Sequence, residues 1–340
     1  MLEKIIEKWN LKYAYLLVTI FSFVFVLLFH DNEYMNKLLL AAFLLLLHVG
    51  AYAQTESERY EQRYDLLVAK LGPAGIGIET VLNNWEKADS TNQKMLLGKF
   101  SYLFTKAQST EVVSRSERKY LGMDPILALK DSLGKDVYYY QVNVFDDELY
   151  GQAMKAADRL MYAWPDRLDY RFLKANAYIA YEKESPYMAL AYLKSLVEEN
   201  AGRKSPWIYE DAQADREFFP EALQEYCYSF YTIGSEESYE AFFELSQLMA
   251  RYFPDNMDFV SNMGTYYLVS KDYKQALKYY DKVLKKKPSD MTSIQNAVVA
   301  CRRMQNVKSE KKYLALMAEY GSEKDKMLAK GRLDALNAKK

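Results

Sequence analysis

Read for apolar spacing, the chain from residue 54 onward is a succession of amphipathic helices. Apolar side chains recurring every three or four residues mark one face of a 3.6-residue turn. Tyr60, Tyr64, Leu67 and Val68 do so within Glu56 to Leu71, where Gly72-Pro73 stops the helix. Ile78, Val81, Leu82 and Trp85 repeat the pattern in Ile76 to Lys87, and Leu96, Leu97, Phe100, Leu103 and Phe104 repeat it from Thr91 to about Ala107. The period then changes. ILALKDSLGKDVYYYQV, Ile126 to Val142, sets β-branched and aromatic residues beside a Ser132-Leu133-Gly134 turn, which predicts one small β-hairpin in residues 126-142. Asp146 predicts a helix N-cap ahead of Glu148, Leu149, Met154 and Leu160, with Pro165 closing that helix.

From Leu168 the pattern becomes helix pairs: Leu168 to Glu182 with Pro186 to Asn200, then, after a Gly202 to Pro206 loop, Phe218 to Ile233 with Glu236 to Phe253. Met257 to Val269 with Tyr273 to Lys287 is the third pair, and Met291 to Met304 with Val307 to Tyr320 the fourth. Ser322 to Ala338 reads as a polar closing helix. The predicted fold is all-α, stacked antiparallel helix pairs forming an α-solenoid, with a helical N-terminal region over 54-145, the array over 146-320 and a cap over 321-340.

The third pair carries Val260, Met263, Gly264, Tyr267, Ala276, Tyr280 and Pro288, with Asp272 at the turn between its helices. This resembles a tetratricopeptide repeat (TPR), with Val and Met in place of the first large apolar residues. Ile294 and Asn296 repeat the register, while Val298 replaces the small residue and Cys301 the tyrosine. Trp164-Pro165-Asp166 and Phe253-Pro254-Asp255 are one helix-ending phrase, and Ala175 to Tyr178 echoes Gly264 to Tyr267. Glycine inside a helix costs roughly 1 kcal/mol against alanine, so Gly264 calls for a close helix crossing, with Ala276 facing it and Tyr267 and Tyr280 on either side. The resemblance implies a non-enzymatic scaffold that binds a peptide or protein, with no cofactor and no nucleic acid. It places the binding groove on the first helices of the pairs: Ser261, Asn262 and Thr265, then Gln295, Asn296 and Arg302. The asparagine amides suit an extended backbone and Arg302 a carboxylate. Both asparagines equally fit a role as bridges between neighbouring helices.

The N-terminal 53 residues change the picture of where this happens. MNKLLLAAFLLLLHVGAYAQ, Met35 to Gln54, has Lys37, an apolar run and an Ala51-Tyr52-Ala53 site, the parts of a secretory signal over 35-53. Upstream, Tyr13 to Phe29 is an uncharged run of 17 residues, at the lower limit for a membrane span. Three readings fit: a start at Met35 with residues 1-34 as upstream sequence, an uncleaved anchor over 13-29, or a membrane hairpin with a cytoplasmic body, which wastes a well-formed cleavage site. The expectation is export to the periplasm or cell envelope, with Gln54 as the first mature residue and anchoring through 13-29 as the alternative.

Cleavage there would also remove both histidines, His30 and His48, and with them the usual general base and commonest zinc ligand. Cys227 and Cys301 are too few for a disulfide-built fold. The glycines of LGPAGIGIET (71-80) fit neither a dinucleotide nor a P-loop spacing. Ser116 and Lys119 form an S-x-x-K without its companion motifs, and Asp146, Asp147 and Glu148 are explained by capping. A carboxylate-dependent enzyme is thus the weakest alternative. Charge supplies a stronger one: residues 271-340 carry a net +10 and residues 54-270 a net −11. The basic end could meet an anionic glycan or lipid, or the opposite faces could favour intramolecular or head-to-tail contacts.

Overall fold

The computed structural model describes residues 55–338; the segments expected to direct export (35-53) or to anchor the chain (13-29) lie outside the described residues. The chain divides into two compact units, 1–63 and 64–340, with the boundary inside the first described helix. That helix is α1 (Glu56–Leu71), followed by α2 (Ile78–Ala88) and α3 (Gln93–Ala107). Ile78, Val81, Leu82 and Trp85, the predicted inner face of the second helix, are all buried. Trp85 meets Tyr64 with ring centroids 5.9 Å apart.

Between α3 and α4 (Asp147–Ala163) the chain forms a three-stranded antiparallel sheet of β1 (Gln108–Arg115), β2 (Leu127–Lys130) and β3 (Asp136–Phe145), ordered β1-β3-β2. The β2–β3 hairpin turns where Ser132-Leu133-Gly134 predicts, with Leu127 opposite Tyr139. Strand β1 is an addition to that expectation. Its sequence QSTEVVSR is polar and mostly exposed, so it carries no apolar alternation to detect. Because α3 packs directly on α4, the sheet is an insertion within a helix pair. Tyr140 and Val142 bury its inner face, and the Tyr140 hydroxyl donates to the Glu117 carbonyl at 2.6 Å. The loop after β1 then reaches the helix array: a Cβ on Gly122, whose φ is +73°, would lie 2.1 Å from the Thr232 carbonyl oxygen, so only glycine fits.

The array follows as α5 (Leu168–Glu182) with α6 (Tyr187–Gly202), α7 (Phe218–Ile233) with α8 (Glu236–Tyr252), α9 (Met257–Val269) with α10 (Tyr273–Lys286), and α11 (Met291–Arg303) with α12 (Val307–Tyr320). Helix α13 (Glu323–Asn337) closes it. From α8 onward each helix starts at a side-chain cap: Ser235, Asn256, Asp272, Asp290, Asn306 and Ser322 each accept from a backbone amide two or three residues ahead. A cap contributes typically about 1 kcal/mol, so the boundaries are written locally. The loop after α6 holds a second small hairpin, β4 (Ile208–Tyr209) with β5 (Ala212–Gln213), pinned by buried Trp207, whose indole N–H donates to Asn200 Oδ1 at 2.9 Å.

Gly264 sits at a close helix crossing, but its neighbour differs from the expected one. The ring of Tyr280 lies over it: a Cβ at 264 would stand 2.6 Å from Tyr280 Cε1. Tyr280 is fully buried and cannot swing out, so the site is overfilled by any side chain. Gly264→Leu is expected to destabilise the protein by roughly 1–3 kcal/mol. Urea unfolding of wild type and variant measures this, and an unchanged midpoint would contradict the packing.

Candidate binding face

The first helices of the pairs, α5, α7, α9 and α11, carry the residues predicted to bind. Helix α9 packs against α7, α8, α10 and α11 at once, so residues Phe259 through Gly264 are all buried. Polar groups in so buried a segment must find their partners within the protein. Asn262 Nδ2 donates to Gln224 Oε1 at 2.8 Å and to Ser246 Oγ at 3.2 Å, while Gln224 Nε2 donates back to Asn262 Oδ1 at 3.1 Å. The hydroxyls of Ser261 and Ser293 lie 3.0 Å apart. Thr265 Oγ1 donates to the Ser261 carbonyl, lies 3.3 Å from the Tyr280 hydroxyl, and accepts from Asn296 Nδ2 at 3.3 Å.

Four of the predicted residues, Ser261, Asn262, Thr265 and Asn296, therefore come together, as a polar seam that bridges four helices. Gln224, Ser246 and Ser293 complete it. Gln224 lies in the preceding pair, outside the repeat window that points to Asn262. Ser246 and Ser293 had a visible signal, since each is a polar residue on the apolar face of its helix, beside Leu245 and Met249 or Ile294 and Ala297.

Gln295 and Arg302 stand elsewhere, on the outward stripe of α11. Thr292, Gln295, Val299, Arg302 and Arg303 recur at helical spacing there and are exposed, Val299 to 42%. Gln295 donates to Asp325 Oδ1 of α13 at 3.0 Å. Arg302 Nε donates to Glu310 at 3.3 Å, and the same buried carboxylate takes two bonds from Arg332 of α13, at 2.7 and 3.1 Å. Those bonds, Arg332 first, hold the Glu310 carboxyl below the usual carboxylate range. The trio fastens the closing helix to the last pair and orients the Arg302 side chain. On α7 the exposed residues include Glu221, Glu225 and Tyr228, so the exposed side is acidic at α7 and basic at α11.

The remaining chemical candidates have local partners. Asp146 caps α4 by accepting from the Leu149 amide, Asp147 accepts from the Tyr181 hydroxyl at 2.8 Å, and Glu148 accepts from Gln152. Ser116 Oγ donates to Glu117 at 3.0 Å, while Lys119 lines a cleft of about 540 Å3 with Tyr120, Gly122, Glu184 and Ser235. Cys227 and Cys301 are buried free thiols, pushed by burial up to about 12 and about 11. Among the described residues, no three of His, Cys, Asp and Glu gather into a group that could hold a metal ion.

No protein-family model and no curated protein matches the chain. Among solved structures it is similar to one from the functional characterisation of Pseudomonas aeruginosa PilF, with 14% identity over 52% of this chain and 71% of that chain and a TM-score of 0.32. A likeness this loose carries no argument. The class of the protein, an all-α array of stacked TPR-like helix pairs with a few small antiparallel strands, rests on the helices themselves.

Removing the Asn262 side chain would leave the half-buried Gln224 amide and the buried Ser246 hydroxyl without their partner. Asn262→Ala is expected to cost about 1–3 kcal/mol, whereas Gln295→Ala on the exposed stripe should stay within about 0.5 kcal/mol. Denaturant unfolding of the two variants side by side checks the contrast. Equal stabilities would mean the seam contributes nothing.

Proposed function

We propose that this protein is an exported, non-enzymatic scaffold that holds a peptide or protein partner on the outward stripe of its first helices, centred on α11. The observation that carries the reading is the composition of that stripe. Val299 offers exposed apolar surface between Gln295 and two guanidinium groups, and Arg302 is held in place by Glu310. A planar, permanently charged fork fixed from behind suits a carboxylate, whether of an acidic side chain or a chain terminus. In this reading Ser261, Asn262, Thr265 and Asn296 act from beneath, keeping α11 in register with α9. A repeat fold does not specify its ligand, so the partner's chemistry is argued from these side chains.

Export is the second part of the proposal and rests on the Lys37, apolar run and Ala51-Tyr52-Ala53 sequence alone. Its expected outcome is a cellular protein beginning at Gln54 and fractionating with the cell envelope. Peptides from Met1 to Tyr34 in the mature protein, found by mass spectrometry, would overturn it. For the binding face, Val299→Asp combined with Arg303→Glu changes two exposed residues and should leave stability within about 1 kcal/mol. Cross-linked capture from envelopes should be lost in that variant. Undiminished capture by the folded variant would place binding off this face.

A further inference from the structure

The second helices of the pairs form a separate surface, and at α8 and α10 it has an unusual construction. Phe243 of α8, Tyr266 and Tyr267 at the end of α9, and Tyr279 of α10 make a half-buried aromatic seam between those two helices. Phe243 lies 4.5 Å from Tyr266 and 5.5 Å from Tyr267, and Tyr267 stacks on Tyr279 at 5.4 Å with an interplanar angle of 13°. Outside the seam run two ridges of opposite sign. Glu236, Glu240 and Glu244 are exposed along α8, and Lys274, Lys278 and Lys282 along α10, each at intervals of four residues.

The ridges match in direction as well as spacing. Each helix is separated from the other by one antiparallel partner, so α8 and α10 run the same way. Measured from their caps at Ser235 and Asp272, the glutamates and lysines fall within one position of each other. Glu244 makes a surface pair with Lys194 of α6. Among the described residues no ion pair joins the two ridges across the seam.

We propose that a second copy of this chain docks here, about a two-fold axis running along the seam. That rotation lays the glutamate ridge of each protomer on the lysine ridge of its partner and aromatic seam on aromatic seam. A two-fold interface requires a self-complementary patch, which equal and opposite ridges in parallel register supply. An anionic surface or polymer would be attracted by one ridge and repelled by the other. Aromatic residues at the centre with charges at the rim are also the ordinary anatomy of a protein interface. None of these residues belongs to the binding stripe on α11, so this surface stands or falls independently of it.

Sedimentation equilibrium of the full chain tests it. A dimer is expected in about 50 mM salt that weakens as salt is raised toward 500 mM, since exposed charge pairs are screened. Glu240→Lys with Glu244→Lys, and separately Lys278→Glu with Lys282→Glu, should each raise the dimer Kd by at least about tenfold, because each breaks reciprocal pairs and sets like charges opposite each other. All four changes together restore complementarity and should return Kd to within about threefold of wild type. All positions are exposed, and thermal melting of each variant verifies folding. A monomer at low salt, doubles that dimerise like wild type, or a quadruple variant as weak as the doubles would each overturn the proposal. So would a monomer that binds vesicles of anionic phospholipid through the lysine ridge.

Discussion

The array is held in register through α9, whose segment Phe259 to Gly264 has almost no surface of its own. A single helix pair cannot bury its apolar face, so the pairs must stack, and the element in the middle of the stack is enclosed. Enclosure alone would be met by an apolar helix, but α9 also carries Ser261, Asn262 and Thr265. Their bonds go to Gln224 of α7, Ser246 of α8, Tyr280 of α10, and Ser293 and Asn296 of α11. Apolar burial is non-directional, whereas each buried hydrogen bond left unmade costs about 1–3 kcal/mol. The polar seam therefore selects one register between layers where apolar contact would tolerate several. Tyr280 over Gly264 sets how closely α9 and α10 approach within that register.

The helices were legible because a 3.6-residue period, and from α8 onward a cap at each start, are local properties. Ile78, Val81, Leu82 and Trp85 are buried as spaced, and Asp146 caps as read. What the sequence does not display is which element answers which. Strand β1 pairs with β3 across the intervening loop and hairpin, and its own residues show no period. The hairpin at β4 and β5 has two residues in each strand, too few for any pattern. Asn262 is the instructive case. Repeat spacing alone fits a groove residue and a bridge equally, and it is Gln224, 38 residues away, that occupies its amide.

The insertion and the tyrosines show how surface is spent in such a stack. The chain holds 31 tyrosines, and among the described residues several rings fill gaps between helices. Phe172 meets Tyr226 at 5.5 Å and the Tyr226 hydroxyl donates to the Phe172 carbonyl at 3.3 Å. Tyr178 meets Tyr192 at 5.6 Å, and Tyr231 meets Phe242 at 5.5 Å. A ring with a polar tip suits a seam that is neither core nor solvent. The inserted sheet uses the same device, with Tyr120 against Tyr140 at 5.5 Å, and its loop is held to the array by the backbone contact at Gly122.

Stacking also explains why charge that is segregated along the sequence stays segregated in the molecule. A fold built from distant segments mixes acidic and basic stretches on one surface. A one-dimensional stack keeps its layers in chain order, so the acidic residues of α7 and α8 remain in one layer and the lysines of α10 to α13 in the next ones. Some of that basic charge is neutralised internally, as where Glu310 takes Arg302 and Arg332, or Asp281 takes Lys312. Those pairs are already counted in the net +10 of residues 271-340, so the imbalance between layers remains. The lysines and glutamates left over are placed by the fold on faces that point outward, with opposite signs on neighbouring helices. Such an arrangement adds little to the stability of the single chain, and its electrostatic free energy can be gained only against another surface.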